Sequence, residues 1–104
     1  MNRILPFLFF LFISTGLLAQ TGGTVRGFVF DAESGEPVIF TNVFLEGTTI
    51  GTSTDVNGYY SITRIKPGTY TLVVSAISYE EFSEEIIVVH DEILSKKIYL
   101  KTNS

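Results

Sequence analysis

The chain contains no cysteine and no tryptophan among its 104 residues, and it has a single histidine, His90. Without cysteine no disulfide can form, so the fold must be held together by apolar burial alone. A zinc site needs three or four ligands, usually His or Cys, and one histidine cannot supply them. We therefore expect no metal site and no cofactor.

His90 is also the only residue that could serve as the base of a Ser–His–acid arrangement. It stands beside Asp91 and Glu92 in a predicted turn, where a solvated turn residue is the simpler interpretation. Four acidic side chains also cluster in the sequence, namely Glu80, Glu81, Glu84 and Glu85. Adjacent strand residues face opposite ways, so these charges favour a soluble edge strand over a paired carboxylate site. We predict no catalytic residue and no enzymatic activity.

Basic residues are too few to attract nucleic acid: seven Lys and Arg stand against eleven Asp and Glu. An acidic chain repels phosphate backbones. Nucleic acid is therefore excluded as an expected partner.

The one long apolar run lies near the start of the chain, at residues 4–18, directly after the positive charge of Arg3. Small Ala19 then precedes Gln20, which is the layout of a secretory signal peptide over residues 1–19. Leu17 is larger than the residue usually found at that position before a cleavage site, so the exact bond that is cleaved is left open. A retained membrane anchor is the alternative, although a spanning helix needs about 20 apolar residues. We expect an exported protein located in the periplasm or associated with the outer membrane.

The remaining residues suffice for one domain. We divide them into a lead-in over 20–23, a domain over 24–101 and a polar tail over 102–104. Alternating and β-branched residues predict seven strands, at 24–30, 38–46, 49–54, 59–63, 69–79, 82–89 and 93–100. We expect a seven-stranded antiparallel β-sandwich of the prealbumin-like or immunoglobulin-like type, with no helix longer than one turn after Gln20.

Two hairpins are part of this prediction. Strand 59–63 is expected to pair with 49–54 across the turn at residues 55–58. Strands 82–89 and 93–100 are expected to pair through residues 90–92. Asn42 and its neighbours lie in a longer strand that is apolar on both faces, which is typical of a central strand.

The turn Asp55-Val56-Asn57-Gly58 has two interpretations. Side-chain oxygens at alternate positions followed by glycine are typical of the start of a calcium-binding loop. Such a loop ends in a bidentate glutamate, however, and the nearest later acid is Glu80. Asp and Asn also bond their own backbone in β-turns, and Gly tolerates positive φ. We favour the turn and predict no metal there.

Aromatic residues could form a sugar-stacking platform, with Tyr59, Tyr60, Tyr70, Tyr79 and Phe82 as the candidates. At alternating strand positions, aromatic side chains are more often core residues or cross-strand pairs. An exposed row of coplanar tyrosines would favour sugar, whereas an apolar or strand-edge patch would favour a protein partner.

Several short pieces occur together in a fixed order: Val25-x-Gly27-x-Val29-x-Asp31, Ser34-Gly35-Glu36-Pro37-Val38, Asn42-Val43, Gly47-Thr48, Gly51-Thr52-Ser53-Thr54-Asp55, Asn57-Gly58-Tyr59-Tyr60, Pro67-Gly68-x-Tyr70 and Ser78-Tyr79. This pattern resembles the carboxypeptidase-like regulatory domain, in which Gly often stands where Ser78 is. The resemblance implies a small prealbumin-like β-sandwich without catalytic residues. Such domains accompany zinc carboxypeptidases or precede the plug and barrel of TonB-dependent outer-membrane receptors.

The signal peptide followed by this domain resembles the receptor arrangement. The resemblance implies a non-enzymatic periplasmic accessory domain that contacts protein, namely outer-membrane uptake components. We expect contact through a sheet edge, with the first strand preferred because Gly27 weakens it, or through the loops near residues 31–37. The alternative is an extracellular carbohydrate- or surface-binding module. Whether the chain stands alone or is a receptor fragment is left open.

Overall fold

A computed structural model describes residues 22–103, which form seven strands. The strands are β1 (Gly23–Asp31), β2 (Asn42–Leu45), β3 (Gly51–Ser53), β4 (Tyr59–Ile65), β5 (Gly68–Ser75), β6 (Phe82–Val88) and β7 (Ile93–Leu100). No helix occurs within this part of the chain, so none of it forms a helix that could span a membrane. The predicted signal peptide at residues 1–19 lies outside the described residues.

The strands pack as two sheets, one of order β4-β1-β7 and one of order β3-β2-β5-β6. The predicted all-β, seven-stranded sandwich is confirmed. Strand alternation builds the core between the sheets, since Val25 and Val29 of β1 are fully buried while Arg26 and Phe28 point outward. Other large buried side chains are Val43, Leu45, Tyr60, Ile62, Ile65, Leu72, Val74, Ile86, Val88, Ile98 and Leu100.

The predicted hairpin between the last two strands is wrong. β6 pairs with β5, whereas β7 crosses to the other sheet and pairs in parallel with β1 from Thr24↔Ile93 to Asp31↔Leu100. One pair of the sandwich is therefore parallel, which corrects the expectation of antiparallel pairing throughout. The crossing lets both strands bury apolar side chains in one core from opposite layers, which a hairpin within one sheet would not allow.

The predicted hairpin across residues 55–58 is also wrong. β3 pairs with β2, and β4 pairs with β1, so the turn carries the chain from one sheet to the other. Strand alternation is the same for either partner. The choice is made by long-range packing, which the local pattern does not contain.

The predicted strand 38–46 is shortened to β2, because residues 38–41 leave the sheet. Phe40 has a φ of 55°, which interrupts the extended backbone. Side-chain hydroxyls replace the missing ladder bonds: Thr54 Oγ1 donates to Val38 O at 2.8 Å, and Thr41 Oγ1 donates to Ser75 O at 2.9 Å. Both threonines are buried, so these bonds hold the irregular segment against the end of the core.

The first strand is not an edge, which corrects the expectation that a partner strand would pair with it. β1 lies between β4 and β7. Gly27 is needed for close approach rather than being a weak point, because a Cβ there would lie 1.8 Å from Lys96 O. That oxygen accepts a hydrogen bond from the buried hydroxyl of Tyr60 at 3.0 Å.

Residues 101–103 are paired with the loop that follows β5. Glu80 N donates to Lys101 O at 2.8 Å, and Asn103 N donates to Ser78 O at 2.9 Å. Part of the segment predicted as a polar tail thereby contributes to the loop end described next.

Candidate functional site: the loop end and its groove

One end of the sandwich gathers the loops that follow β1, β3, β5 and β7. We call it the loop end, and it comprises residues 32–41, 54–58, 76–81 and 101–103. The pairing register places these segments together, since Asp31 stands opposite Leu100 and Asn42 opposite both Ser75 and Ser53. It includes residues 32–37 of the loop near residues 31–37 that is predicted to contact a partner.

Asp31 organises the first of these loops. Its Oδ1 accepts hydrogen bonds from Glu33 N at 2.7 Å and Ser34 N at 2.9 Å, while its carbonyl oxygen accepts one from Gly35 N at 2.9 Å. This is the turn chemistry by which an Asp side chain substitutes for backbone partners. The loop is therefore held in one conformation by its first residue.

Tyr79 links that loop to the one after β5, because its hydroxyl donates to Asp31 Oδ2 at 2.7 Å. The Ser34 N–H, the Tyr79 hydroxyl and the Glu33 N–H together hold the pKa of Asp31 below its ordinary value. The same bond, followed by burial and by the charges of Asp31 and Glu36, raises the pKa of Tyr79. The two loops form one hydrogen-bonded unit.

A groove of about 470 Å³ separates residues 37–42 from residues 75–79. Its apolar lining is unusually exposed for large side chains: Ile39 is 47% exposed, Phe40 69% and Ile77 94%. Val56, 64% exposed, adds a further apolar side chain at this end. Clustered exposed apolar side chains mark surfaces that contact other molecules.

Each wall of the groove contains a non-glycine residue in the left-handed region, with φ of 55° at Phe40 and 75° at Ser78. Such a conformation costs of order 1–3 kcal/mol and persists only where the surroundings enforce it. The enforcing contacts are the buried threonine hydroxyls beside Phe40 and the Asn103 bond to Ser78. Glycine adopts this conformation freely, whereas at Ser78 the Asn103 bond holds the backbone in it.

The single histidine lies at the opposite end of the sandwich. His90 Nε2 is 3.7 Å from Asp91 Oδ2, and both side chains are more than half exposed. Glu84, one of the clustered acids, forms an ion pair with Lys96 that joins β6 to β7 across the two sheets. His90 is therefore a solvent-exposed turn residue, and Glu84 links the two sheets.

Asp55 acts as a turn residue. Its Oδ1 accepts hydrogen bonds from Asn57 N at 2.8 Å and Tyr59 N at 3.0 Å, and Gly58 has a φ of 76°. Within residues 22–103, no three His, Cys, Asp or Glu side chains lie close enough to hold a metal ion.

The five aromatic residues proposed for sugar stacking are dispersed by the fold. Tyr60 is buried, Tyr79 belongs to the loop end, and the Tyr70 hydroxyl donates to Lys66 O at 2.7 Å near the opposite end. Tyr59 lies on the outer face of the three-stranded sheet beside Phe28, and Phe82 packs against the core. They share no platform.

The structure instead assembles a different aromatic row, which we call the outer strip: Tyr59, Phe28, Phe30 and Tyr99. The Phe28 and Phe30 rings stack with centroids 5.9 Å apart, and Phe30 lies 5.8 Å from Tyr99. Sequence reasoning missed the strip because it depends on the parallel β1–β7 pairing, which sets Phe30 beside Tyr99. The alternation of Phe28 and Phe30 was its only local signal.

Comparison with known proteins agrees with this architecture. The chain is 43% identical over 79 residues to the TonB-dependent receptor P39 of Formosa agariphila, which covers 74% of this chain and 7% of the receptor. It is 44% identical over 70 residues to the TonB-dependent receptor SusC of Bacteroides thetaiotaomicron, covering 67% of this chain and 7% of the receptor. The chain thus spans a small fraction of the length of these relatives.

Among solved structures, a type II cohesin–X–dockerin complex from Acetivibrio cellulolyticus superposes with a TM-score of 0.57 and 26% identity. The match covers 76% of this chain and 57% of that chain. The model of the family described as CarboxypepD_reg-like domain matches residues 25–104. This chain therefore belongs to the CarboxypepD_reg-like domain family.

Proposed function

We propose that this protein is a non-enzymatic interaction module of the cell envelope, and that it binds a protein partner through the groove of the loop end. One observation carries the proposal. Phe40 and Ile77 are held exposed on opposite walls of a groove whose loops are fixed by hydrogen bonds. A preformed apolar surface loses little conformational entropy when a partner binds. This favours a role of the groove in binding a partner over a role in stabilising the fold.

The non-enzymatic part rests on the chemistry of the side chains. In the part of the chain that the structure describes, His90 and the strained groove residues lie at opposite ends of the sandwich. The groove lining is threonine, serine, asparagine, tyrosine and apolar residues, and among the described residues no serine or threonine hydroxyl of this lining is hydrogen-bonded to a histidine or carboxylate base. A nucleophile without such a base is weak.

The envelope part is supported by the relatives. Both matched proteins are TonB-dependent receptors, and residues 1–19 have the layout of an export signal. The matched region makes up 7% of each receptor, and for this region we propose an accessory role beside outer-membrane uptake components, in the periplasm.

The test places a photo-crosslinking amino acid at Ile77 in cells that produce the protein. Ile87, which is 66% exposed on β6 away from the groove, is the matched control site. The proposal expects a defined adduct with an envelope protein from position 77 and none from position 87. No adduct at position 77, or the same adducts at both positions, would contradict it.

Carbohydrate binding is the second candidate, and the outer strip is the observation that favours it. Tyr99 is 53% exposed and Phe28 37% exposed, so two rings of the row are open to a stacking ligand. The test is binding of soluble oligosaccharides to the protein and to Tyr99→Ala, with Tyr70→Ala as a control outside the strip. Binding that Tyr99→Ala abolishes and Tyr70→Ala retains would support it, and absence of binding would exclude the strip as a sugar site.

A further inference from the structure

The charge of the molecule is distributed unevenly. Six acidic residues lie on the loop end or on the strand residue leading into it: Asp31, Glu33, Glu36, Asp55, Glu80 and Glu81, with Lys101 as the one basic residue there. The rest of the described chain is balanced, with five basic and five acidic side chains. The whole net negative charge of residues 22–103 is therefore concentrated around the groove.

The apolar side chains and the charge are close neighbours. Glu36 directly precedes Pro37, the first residue of the groove wall, and it lies near enough to Tyr79 to act on that hydroxyl. Asp55 adjoins exposed Val56. The groove is an apolar surface with an acidic rim, the division that protein-binding surfaces show between centre and periphery.

We propose, building on the function proposed above, that the groove binds an extended polypeptide segment in which a bulky apolar side chain stands next to Lys or Arg. The apolar residue occupies the space between Phe40 and Ile77. The basic residue faces Glu36 and the neighbouring acids. Charge complementarity selects this class of partner over acidic segments and anionic lipid, which the rim repels.

The size of the groove agrees with a short segment rather than a whole domain surface. Its volume of about 470 Å³ lies within the range of about 300–1,000 Å³ typical of pockets that take a few side chains or a small ligand.

Binding to the acidic rim should depend on salt, because interactions between exposed charges are screened over about 10 Å at 0.1 M ionic strength. Affinity must therefore decrease as the salt concentration rises.

The experiment selects binders from a random peptide library displayed on phage, with the exported chain as bait. We expect enriched peptides to combine a large apolar residue with an adjacent Lys or Arg. Synthetic copies of these peptides should bind the wild-type protein and Ile87→Ser, and should lose most of their affinity for Ile77→Ser.

A charge-matched pair of variants isolates the rim. Glu36→Gln with Glu81→Gln removes two acids at the loop end, whereas Glu46→Gln with Glu92→Gln removes two at the opposite end. The first pair should weaken peptide binding severalfold at low salt, and the second should leave it unchanged. Equal effects of both pairs would overturn the proposal.

Enrichment of acidic or uncharged peptides, or of none, would also overturn this proposal. Those results would leave the crosslinking test of the function itself unaffected. An adduct at position 77 with an acidic segment would reject the partner class while supporting the interaction module.

Discussion

The Tyr79 hydroxyl donates a hydrogen bond of 2.7 Å to Asp31 Oδ2, joining two loops that are 48 residues apart in the sequence. Asp31 Oδ1 meanwhile accepts from two backbone N–H groups of its own loop. One carboxylate thus fixes a turn with one oxygen and the groove wall with the other. Both roles need the ionised form.

Stability should depend on the ionisation of Asp31. Its pKa is lowered in the folded protein, so its contribution is present above the unfolded pKa, near 4, and is lost as pH falls through the folded value. In Tyr79→Phe the pKa of Asp31 should rise but stay below its ordinary value, because the Ser34 N–H bond remains. Carboxyl titration by NMR measures this, and an unchanged pKa in Tyr79→Phe would refute the coupling.

Gly27 and Tyr60 should act as a coupled pair through Lys96. Gly27→Ala sets a Cβ 1.8 Å from Lys96 O and should destabilise the fold by about 1–3 kcal/mol. Tyr60→Phe removes the hydroxyl that holds this oxygen and should cost about 0.5–1.5 kcal/mol. Urea unfolding of both single variants and the double variant gives the coupling. Strictly additive losses would show that the two side chains act independently.

The Asp55 turn should serve stability rather than metal. Gly58→Val forces a β-branched residue to a φ of 76° and brings its Cβ 2.7 Å from Val29 O, so the loss should reach at least about 1–3 kcal/mol. Asp55→Ala should lose about 0.5–1.5 kcal/mol with its turn bonds. Calcium should leave the Tm unchanged, since only a ligand of the native state raises it. A calcium-dependent rise that Asp55→Ala abolishes would overturn the turn assignment.

The parallel β1–β7 pair should make the domain resist tension along its length. Eight residue pairs connect the two strands, and the chain enters at the start of β1 and leaves at the end of β7. Pulling between Thr21→Cys and Ser104→Cys therefore loads these bonds together, whereas pulling between Thr21→Cys and Glu92→Cys opens them in succession from one end. Force spectroscopy should give a severalfold higher unfolding force in the first geometry. Equal forces would contradict this, because forced unfolding reports the barrier that the pair supplies.

The local pattern locates all seven strands, but it makes the strands predicted at 38–46 and 69–79 too long and does not give the pairing partners. Residues 93–100 were predicted as a strand with the bounds that β7 has, because alternation and flanking turn residues are properties of the segment itself. Its partner was predicted wrongly, since β6 and β1 offer similar alternating surfaces and the choice depends on closing the core.

The groove was even less predictable from the local sequence pattern than the strand pairing. The sequence predicts a loop that ends at Pro37 and a long strand that follows at once, and nothing in the apolar run 38–40 reveals that Phe40 turns outward. The buried Thr41–Thr54 contacts that hold Phe40 join residues 13 positions apart. The turn residues of segment 31–37 predict a loop, and the structure has a loop at residues 32–36. The neighbouring apolar side chain of Ile77 is brought beside this loop only by the assembled fold.

The most direct test of the interaction module is quantitative capture from solubilised outer membranes. The bait proteins are the wild type, Ile77→Ser in the groove and Ile87→Ser on β6, and both variants replace an isoleucine that is more than half exposed. We expect an outer-membrane protein to be captured by the wild type and by Ile87→Ser, and to be lost with Ile77→Ser. Equal capture by all three baits would contradict binding through the loop end.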